Sequence, residues 1–214
     1  MKFIDNLARK ILDDYSQLEQ LVVILPSERA VKYLGNSLYK LNGGPLIAPE
    51  MLTIDRWVRA QFNQIIDPTR LLIVLFEGYL QTEEGKNESF ESFLTWGATL
   101  LSDFNDLDRY MVDQDQIFKN LKSIKELESW QIDEENYSES QLKFMAFWEQ
   151  IPKLHKELMA QLKKRSQITL SQAYRRLAEE TLTLIPPDKK YIFAGFNALS
   201  KAELQIIKNL LKRG

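Results

Sequence analysis

The fold of this chain is decided by residues 21–30, Leu21-Val22-Val23-Ile24-Leu25-Pro26-Ser27-Glu28-Arg29-Ala30. Five consecutive apolar residues, three of them β-branched, are typical of a strand that is covered on both faces in a parallel sheet. Pro26 ends the strand because it has no N–H to donate, and Ser27 can cap the helix that follows. The turn between them then lies at the carboxyl end of the strand, where open α/β sheets bind ligands.

A second stretch of the same kind lies near the end of the chain. Tyr191-Ile192-Phe193-Ala194-Gly195-Phe196 predicts a buried strand, and Ser200-Lys201-Ala202-Glu203 is a capping box that opens a final helix. The short apolar run Leu46-Ile47-Ala48, closed by Pro49, predicts a further strand. Strands that are each followed at once by a capped helix indicate an α/β fold with a parallel sheet.

The segment between the two long strands greatly exceeds a normal crossover of about a dozen residues. Its apolar residues recur at helical spacing, so the sequence predicts an α/β domain made of residues 1–66 and 166–214 with an all-α insertion at 67–165. The predicted helices are 3–19, 27–41, 54–65, 67–79, 89–111, 114–127, 139–164, 169–184 and one from 200 to the C-terminus.

The composition excludes several classes of protein. The 214 residues are 44% hydrophobic and 27% charged, as in an ordinary globular protein, and include no cysteine, which excludes disulfides, thiolate zinc sites and cysteine-ligated iron–sulfur clusters within this chain. No apolar run is long enough to span a bilayer, and charged residues interrupt residues 1–20, so we expect a cytoplasmic location without a signal peptide. The net charge of −2 means that binding to phosphates would need a local basic face.

Motifs for nucleotide chemistry and catalysis are absent from the sequence. No Gly-x-x-x-x-Gly-Lys-Ser/Thr loop, no Gly-x-Gly-x-x-Gly fingerprint and no Gly-x-Ser-x-Gly elbow occurs. His155 is the only histidine, which removes any two-histidine metal site, and a structural role beside an apolar helix stripe is favoured over a catalytic one. We therefore predict no catalytic residue, no bound metal and no cofactor for this chain.

Clustered charges and scattered tryptophans each have a structural explanation. Asp103, Asp106 and Asp108 could be imagined as metal ligands, but a solvated acidic helix face is favoured. The basic clusters lie mostly near predicted helix ends, where they complement the helix dipole. These clusters are Lys163-Lys164-Arg165, Arg175-Arg176, Lys189-Lys190 and Lys212-Arg213. The tryptophans, for which core or interface positions are expected, are Trp57, Trp96, Trp130 and Trp148.

One set of polar residues is expected to gather along the edge where the strands end. Hydroxyls, helix N-termini and arginines at such an edge could hold the phosphates of a nucleic-acid backbone. Helix capping alone also explains each serine and threonine, so both interpretations stay open at this point. The candidate nucleic-acid-binding residues are Ser27, Glu28, Arg29, Thr53, Arg56, Asn197 and Ser200.

The order of four segments resembles the N-terminal region of AddB-type proteins, and most of all the form found in Bacteroidetes. These are PD-(D/E)XK nuclease family helicase–nuclease subunits that resect DNA double-strand breaks. The segments that carry the resemblance are Val23-Ile24-Leu25-Pro26-Ser27-Glu28-Arg29-Ala30, Ala48-Pro49-Glu50-Met51-Leu52-Thr53-Ile54, Trp96-Gly97-Ala98-Thr99-Leu100-Leu101-Ser102-Asp103-Phe104-Asn105-Asp106-Leu107-Asp108 and Phe193-Ala194-Gly195-Phe196-Asn197-Ala198-Leu199-Ser200.

The resemblance implies a RecA-like, P-loop NTPase-like sheet that is inactivated, namely the first domain of a superfamily 1 helicase (domain 1A) with a helical insertion (domain 1B). In such helicases, motifs that touch single-stranded DNA lie where this chain has residues 26–30 and 52–54. The ATP-binding loop expected before the first strand is missing, and the Asp-Glu pair that would hold magnesium is replaced near residues 194–196. The resemblance therefore implies a domain without ATP hydrolysis.

For function, the resemblance implies a non-catalytic DNA-binding or scaffold domain in DNA repair and recombination. The implied partners are single-stranded or end DNA, together with a partner helicase subunit or the C-terminal remainder of a longer protein. In the family, the nuclease motif and iron–sulfur cysteines lie further towards the C-terminus, so a fragment is expected. The alternative is a protein–protein interaction scaffold, and an enzymatic role would require ATPase activity.

Overall fold

A computed structural model of the protein describes residues 2–120 and 139–213. Contacts divide the chain into two compact units. The first, Met1–Asn63 with Arg176–Gly214, contains all the strands of the sheet and is called the sheet unit. The second, Gln64–Arg175, is called the helical unit. Within the described ranges, no helix has the length and apolar character that crossing a membrane requires.

Helices outnumber strands in the order of elements. The three strands are β1 (Leu21–Leu25), β2 (Glu50–Thr53) and β3 (Lys190–Phe193). The helices are α1 (Lys2–Asp14), α2 (Glu28–Asn42), α3 (Ile54–Arg59), α4 (Pro68–Tyr79), α5 (Phe90–Arg109), α6 (residues 114–120), α7 (Glu139–Lys164), α8 (Leu170–Leu184) and α9 (Lys201–Arg213), with a short 3₁₀ turn at Leu18–Gln20 before β1.

The sheet has the order β2-β1-β3, and both pairings are parallel. Ile24 of β1 lies opposite Leu52 of β2 on one side and Phe193 of β3 on the other. Each strand is followed in sequence by a helix, which begins immediately after β2 and after a connecting segment in the other two cases. The predicted α/β class with a small parallel sheet and many helices is therefore confirmed.

The central strand β1 is buried on both faces, as its apolar sequence predicts. Leu21, Val23 and Leu25 pack with buried residues of α1 and α2, including Ile11 and Leu34. On the opposite face, the indole of Trp57 in α3 packs edge-on against the rings of Tyr191 and Phe193, at centroid distances of 5.8 and 5.6 Å. Helices thus cover both faces of this strand.

The second strand does not lie where the sequence predicts it. Leu46-Ile47-Ala48 is not a strand, and the side chain of Ile47 is 74% exposed. The strand β2 begins after the buried Pro49 instead of ending at it. A proline before the first paired residue costs no ladder hydrogen bond. The pattern of β2 was missed because its apolar residues are flanked by the polar Glu50 and Thr53.

Four other boundaries also differ from the prediction. The helix expected over 3–19 ends at Asp14, and Leu18–Gln20 form a separate 3₁₀ turn. The helix expected over 54–65 ends at Arg59, and Ile65 instead forms an isolated parallel bridge with Ile168. The strand expected over 191–196 ends at Phe193, before Gly195, whose φ of +80° breaks the extended conformation. The prediction that this strand is buried was wrong, because β3 is an edge strand and its residues are at most partly buried. Of the helix predicted over 114–127, residues 114–120 are helical, and the remainder, like Trp130, lies outside the described residues.

The helical unit is organised around a core formed by α4, α5 and α7. Asp67 caps α4 by accepting the amide protons of Thr69 and Arg70, as the Asp-Pro sequence predicts. The buried members of this core are Ile66, Leu71, Val74, Leu75, Tyr79, Phe93, Leu100, Leu101, Phe104, Ile151, Leu154, Leu158 and Leu162.

The acidic face predicted on α5 is solvated at only two of its three positions. Asp103 and Asp106 are exposed, whereas Asp108 is 4% exposed and lies 3.5 Å from the guanidinium of Arg175. The placement of Asp108 on a solvated face was wrong because the partner, 67 residues away in sequence, cannot be seen from helical periodicity. Among the described residues, no group of three or more acidic, histidine or cysteine side chains could hold a metal ion.

Candidate nucleic-acid interface

The carboxyl ends of all three strands meet at one edge of the sheet, here called the carboxyl edge. In the register of the sheet, Leu25 pairs with Thr53, and Ile24 pairs with Phe193. The amide of Ala194 continues this pairing by donating to the carbonyl oxygen of Ile24 at 3.0 Å. The turns after β1, β2 and β3 therefore leave the sheet side by side, as their sequence positions predict.

The three candidate hydroxyls at this edge all cap helices. The Oγ of Ser27 accepts the amide proton of Ala30 at 3.2 Å, and Oγ1 of Thr53 accepts that of Arg56 at 3.3 Å. Ser200 and Glu203 form a reciprocal capping box, with distances of 2.7 and 3.3 Å. These side chains fix where the helices begin. Each hydroxyl accepts an amide proton through a lone pair and keeps its own O–H, so an anion at the edge would meet these O–H donors as well as the remaining amides of the first turns.

Two helix starts present unbonded amides at the carboxyl edge. The amides of Glu28 and Arg29 in α2, and of Lys201 and Ala202 in α9, lie in first turns, where no intrahelical acceptor exists. The positive end of each helix dipole lies at the same place, which favours negative charge nearby. The edge thus brings two sets of backbone donors towards one side of the sheet.

Charged side chains surround these helix starts. Arg29 is exposed and has no ionic partner among the described residues. A guanidinium nitrogen of Arg56 lies 3.6 Å from a carboxylate oxygen of Glu28, and both side chains are more than half exposed. Lys201, which was not predicted as a site residue, is also exposed. The three cations, Arg29, Arg56 and Lys201, are balanced in number by three acidic residues, Glu28, Asp55 and Glu203. The carboxyl edge therefore has individual charged side chains but no extended positive surface.

Asn197 lies in the loop between β3 and α9 and is exposed. Its side chain forms no hydrogen bond within the described residues, so its amide is open to solvent on the same side of the sheet as Ser27. Of the seven candidate residues, Thr53 is the last residue of β2 and the other six follow the end of a strand. Only Arg56 and Glu28 contact one another through their side chains.

The carboxyl edge also includes an aromatic side chain that is not among the predicted site residues. Phe3, in the first turn of α1, is 56% exposed. A Cβ on Gly195 would lie 3.4 Å from the Phe3 ring and 3.6 Å from Cδ of Pro26, so these three residues are neighbours. The apolar periodicity of α1 gave no signal for this position, because its location depends on how α1 packs on the sheet.

Ionisable groups with displaced pKa values occur in both units. A hydrogen bond from Lys189 to Glu50 at 2.7 Å raises the pKa of Lys189. Both residues lie at the amino ends of their strands, β3 and β2, and therefore away from the carboxyl edge. Burial raises the pKa of Tyr191 and lowers the pKa of His155, which is enclosed by Phe104 and Phe118 in the helical unit.

The basic clusters of the sequence are used largely in structural contacts. Arg165 pairs with Glu77 at 3.1 Å, and Arg176 pairs with Glu180 at 3.3 Å. Arg213 donates to the carbonyl groups that end α8. These contacts support the structural interpretation of the clusters given by their positions near helix ends.

Comparisons with known proteins do not assign this chain to a family. No family model matches the chain, and no curated protein sequence is significantly similar to it.

Proposed function

We propose that the carboxyl edge binds the sugar–phosphate backbone of single-stranded DNA. On this proposal the chain is a non-catalytic domain, with an inactivated RecA-like fold, of a helicase–nuclease subunit for double-strand-break repair. The observation that carries the proposal is the parallel register, which places the turns after Leu25, Thr53 and Phe193 on one side of the sheet. Open α/β sheets bind ligands at this position.

The charges and amides at the edge define how a phosphate would be held. Backbone amides at the starts of α2 and α9 donate to phosphate oxygens, and the guanidinium of Arg29 supplies a charge that no described carboxylate neutralises. Exposed ion pairs contribute about 0–1 kcal/mol, so Arg56 can exchange Glu28 for a phosphate at low cost. Contacts of this kind position a strand without reading its sequence.

The test is a titration of fluorescently labelled oligothymidine with the full chain, followed by anisotropy. We expect binding that weakens steeply with salt and that falls when Arg29 or Arg56 is replaced by Ala. Lys40→Ala is the matched control, because it removes one positive charge near the other end of α2. Absence of binding, or binding that is indifferent to salt and to both arginine substitutions, would refute the proposal.

A second candidate function, docking of a protein partner, is favoured by apolar side chains exposed on the helical unit. Ile73, Phe90 and Leu94 are each about 40% exposed. The ring of Phe90 also packs against the ring of Phe76, at a centroid distance of 5.1 Å. Apolar patches of this kind often mark interaction sites. The partner would be a helicase subunit or another part of a longer polypeptide that includes this chain.

The docking function is tested by co-purification with a helicase subunit. Leu94→Lys should abolish complex formation, whereas Leu211→Lys, at a 75% exposed position of the sheet unit, should leave it intact. Equal complex formation by both variants would exclude this patch as the docking site.

A further inference from the structure

We propose that Phe3 stacks against an unpaired base of the strand that the carboxyl edge holds. This inference rests on the proposed function, and it adds recognition of the base to recognition of the backbone. It concerns an aromatic residue outside the seven candidates and outside the segments that carry the resemblance.

The position of Phe3 is set by contacts within the sheet unit. Its ring packs against Gly195, which follows β3, and Gly195 in turn adjoins Pro26, which follows β1. Gly195 has a φ of +80° and no side chain, so the backbone after β3 passes close beneath the ring. The ring therefore lies next to the turn that follows β3, and Pro26, which precedes Ser27 and the start of α2, adjoins the same glycine.

The exposure of Phe3 makes it available to a base. The side chain is 56% exposed, although most aromatic side chains of the sheet unit are used in packing. For comparison, Trp57 is 3% exposed, and Phe193 packs against both Trp57 and Phe196. An aromatic ring beside a backbone-binding groove is the usual platform for single-stranded DNA, because every base has a π face.

The geometry assigns different tasks to neighbouring groups. A phosphate held by the first-turn amides of α2 and by Arg29 would leave its attached nucleoside next to Pro26 and Phe3. The base could then cover the exposed face of the ring while the backbone follows the carboxyl edge. Such stacking tolerates any base, so we expect the chain to prefer a strand that carries bases over an abasic strand, without a preference among the bases.

The experiment compares binding of an oligothymidine with binding of an abasic oligonucleotide of the same length and charge. The wild-type chain should prefer the thymidine strand by roughly 5- to 140-fold, the range expected for stacking of one base. Phe3→Ala and Phe3→Leu should both remove this preference, and Phe3→Leu keeps an apolar contact with Gly195. Neither variant should change the affinity for the abasic strand, which also shows that each variant is folded.

Tyr39→Ala, at a 62% exposed aromatic position in the last turns of α2, should keep the full preference.

The outcomes separate this inference from the proposed function. Equal affinity of the wild-type chain for both strands, or a preference that survives in Phe3→Ala and Phe3→Leu, would overturn stacking on Phe3 and leave backbone binding intact. Failure of the wild-type chain to bind either strand would overturn the proposed function and, with it, this inference.

Discussion

Gly97 lies in the interior of α5, where alanine would normally stabilise a helix by about 1 kcal/mol. Here a Cβ would lie 2.5 Å from Cε1 of the Phe93 ring, which is fully buried and packs against Phe76 and Trp96. Overpacking of a core costs about 1–3 kcal/mol. We therefore expect Gly97→Ala to lower the free energy of unfolding by about 1–2 kcal/mol, measured by urea titration.

Gly35 provides the matched control for this prediction. It also lies inside a helix, but its nearest atom to an added Cβ is the terminal methyl of Met51 at 3.6 Å, an ordinary contact. Gly35→Ala should leave stability unchanged or raise it by up to about 1 kcal/mol. Destabilisation of equal size by both substitutions would show that the Phe93 ring is not the cause.

His155 makes the stability of the helical unit depend on pH. It is 4% exposed between the rings of Phe104 and Phe118, at centroid distances of 4.8 and 5.5 Å, and its Nε2 has no hydrogen-bond partner among the described residues. Burial lowers the pKa of His155 in the folded protein. The unfolded chain therefore binds the proton first, and stability falls as the pH drops below about 6.5 until the folded pKa is passed.

The pH dependence is measured by unfolding at about pH 7.5 and about pH 5.5, on either side of the pKa of an unperturbed histidine. Within this window the loss approaches about 1.4 kcal/mol per pH unit where only the unfolded state is protonated. His155→Leu removes the titrating group and should show a smaller loss of stability between the two conditions. An unchanged difference would assign the pH dependence to other groups.

At the scale of elements, the helix caps could be predicted and one strand could not. Capping depends on side chains within three residues, so Ser27, Thr53 and Ser200 were correctly placed before their helices. The strand β2 is four residues long and half-exposed, and its pairing with β1 is a contact between distant segments. The apolar run at 46–48 resembled a strand more closely than β2 did, although it is largely exposed. Local apolar content does not show whether a segment is buried.

Asp108 links the end of α5 to the start of α8 within the helical unit. Its carboxylate lies 3.5 Å from Arg175 and accepts a hydrogen bond from Gln114 at 3.2 Å, while Arg175 donates to the carbonyl of Val112 at 2.9 Å. Loss of one partner leaves a buried charge uncompensated, which costs about 3–5 kcal/mol when burial is complete. Because Arg175 is 28% exposed, we expect Asp108→Asn to cost less, about 2 kcal/mol.

Denaturant unfolding with Asp106→Asn as the control tests this link. Asp106 lies two residues away on the same helix and is exposed, so its substitution should change stability by less than about 0.5 kcal/mol. If the two variants had equal stability, the pair of Asp108 and Arg175 would contribute nothing beyond a surface charge.

At the scale of the whole molecule, the gathering of the candidate residues could be predicted but their partners could not. Ser27 and Ser200 follow a strand and Thr53 ends one, and parallel strands necessarily end at one edge. The pairing of Arg56 with Glu28 and the position of Phe3 depend on how helices pack on the sheet. Local sequence patterns carry no information on such packing, which is why the aromatic residue at the edge was missed.

Net charge and local charge predict different responses of DNA binding to salt. The chain carries a net charge of −2, but at physiological ionic strength fields are screened beyond about 8 Å. Only Arg29, Arg56 and Lys201 at the carboxyl edge would then displace counterions from a single strand. With about 0.7 counterions released per contact, we expect a slope of about −2 in a plot of log affinity against log salt concentration.

Single substitutions distinguish a local contact from a general field. Arg29→Ala should reduce the magnitude of the salt slope by about 0.7, because one phosphate contact is lost. Lys40→Ala changes the net charge by the same amount but lies near the other end of α2, so its slope should equal that of the wild-type chain. Glu28→Gln frees Arg56 and should strengthen binding at low salt. Equal slopes for Arg29→Ala and Lys40→Ala would mean that overall charge governs binding, and they would contradict the proposal that the carboxyl edge is the DNA-binding site.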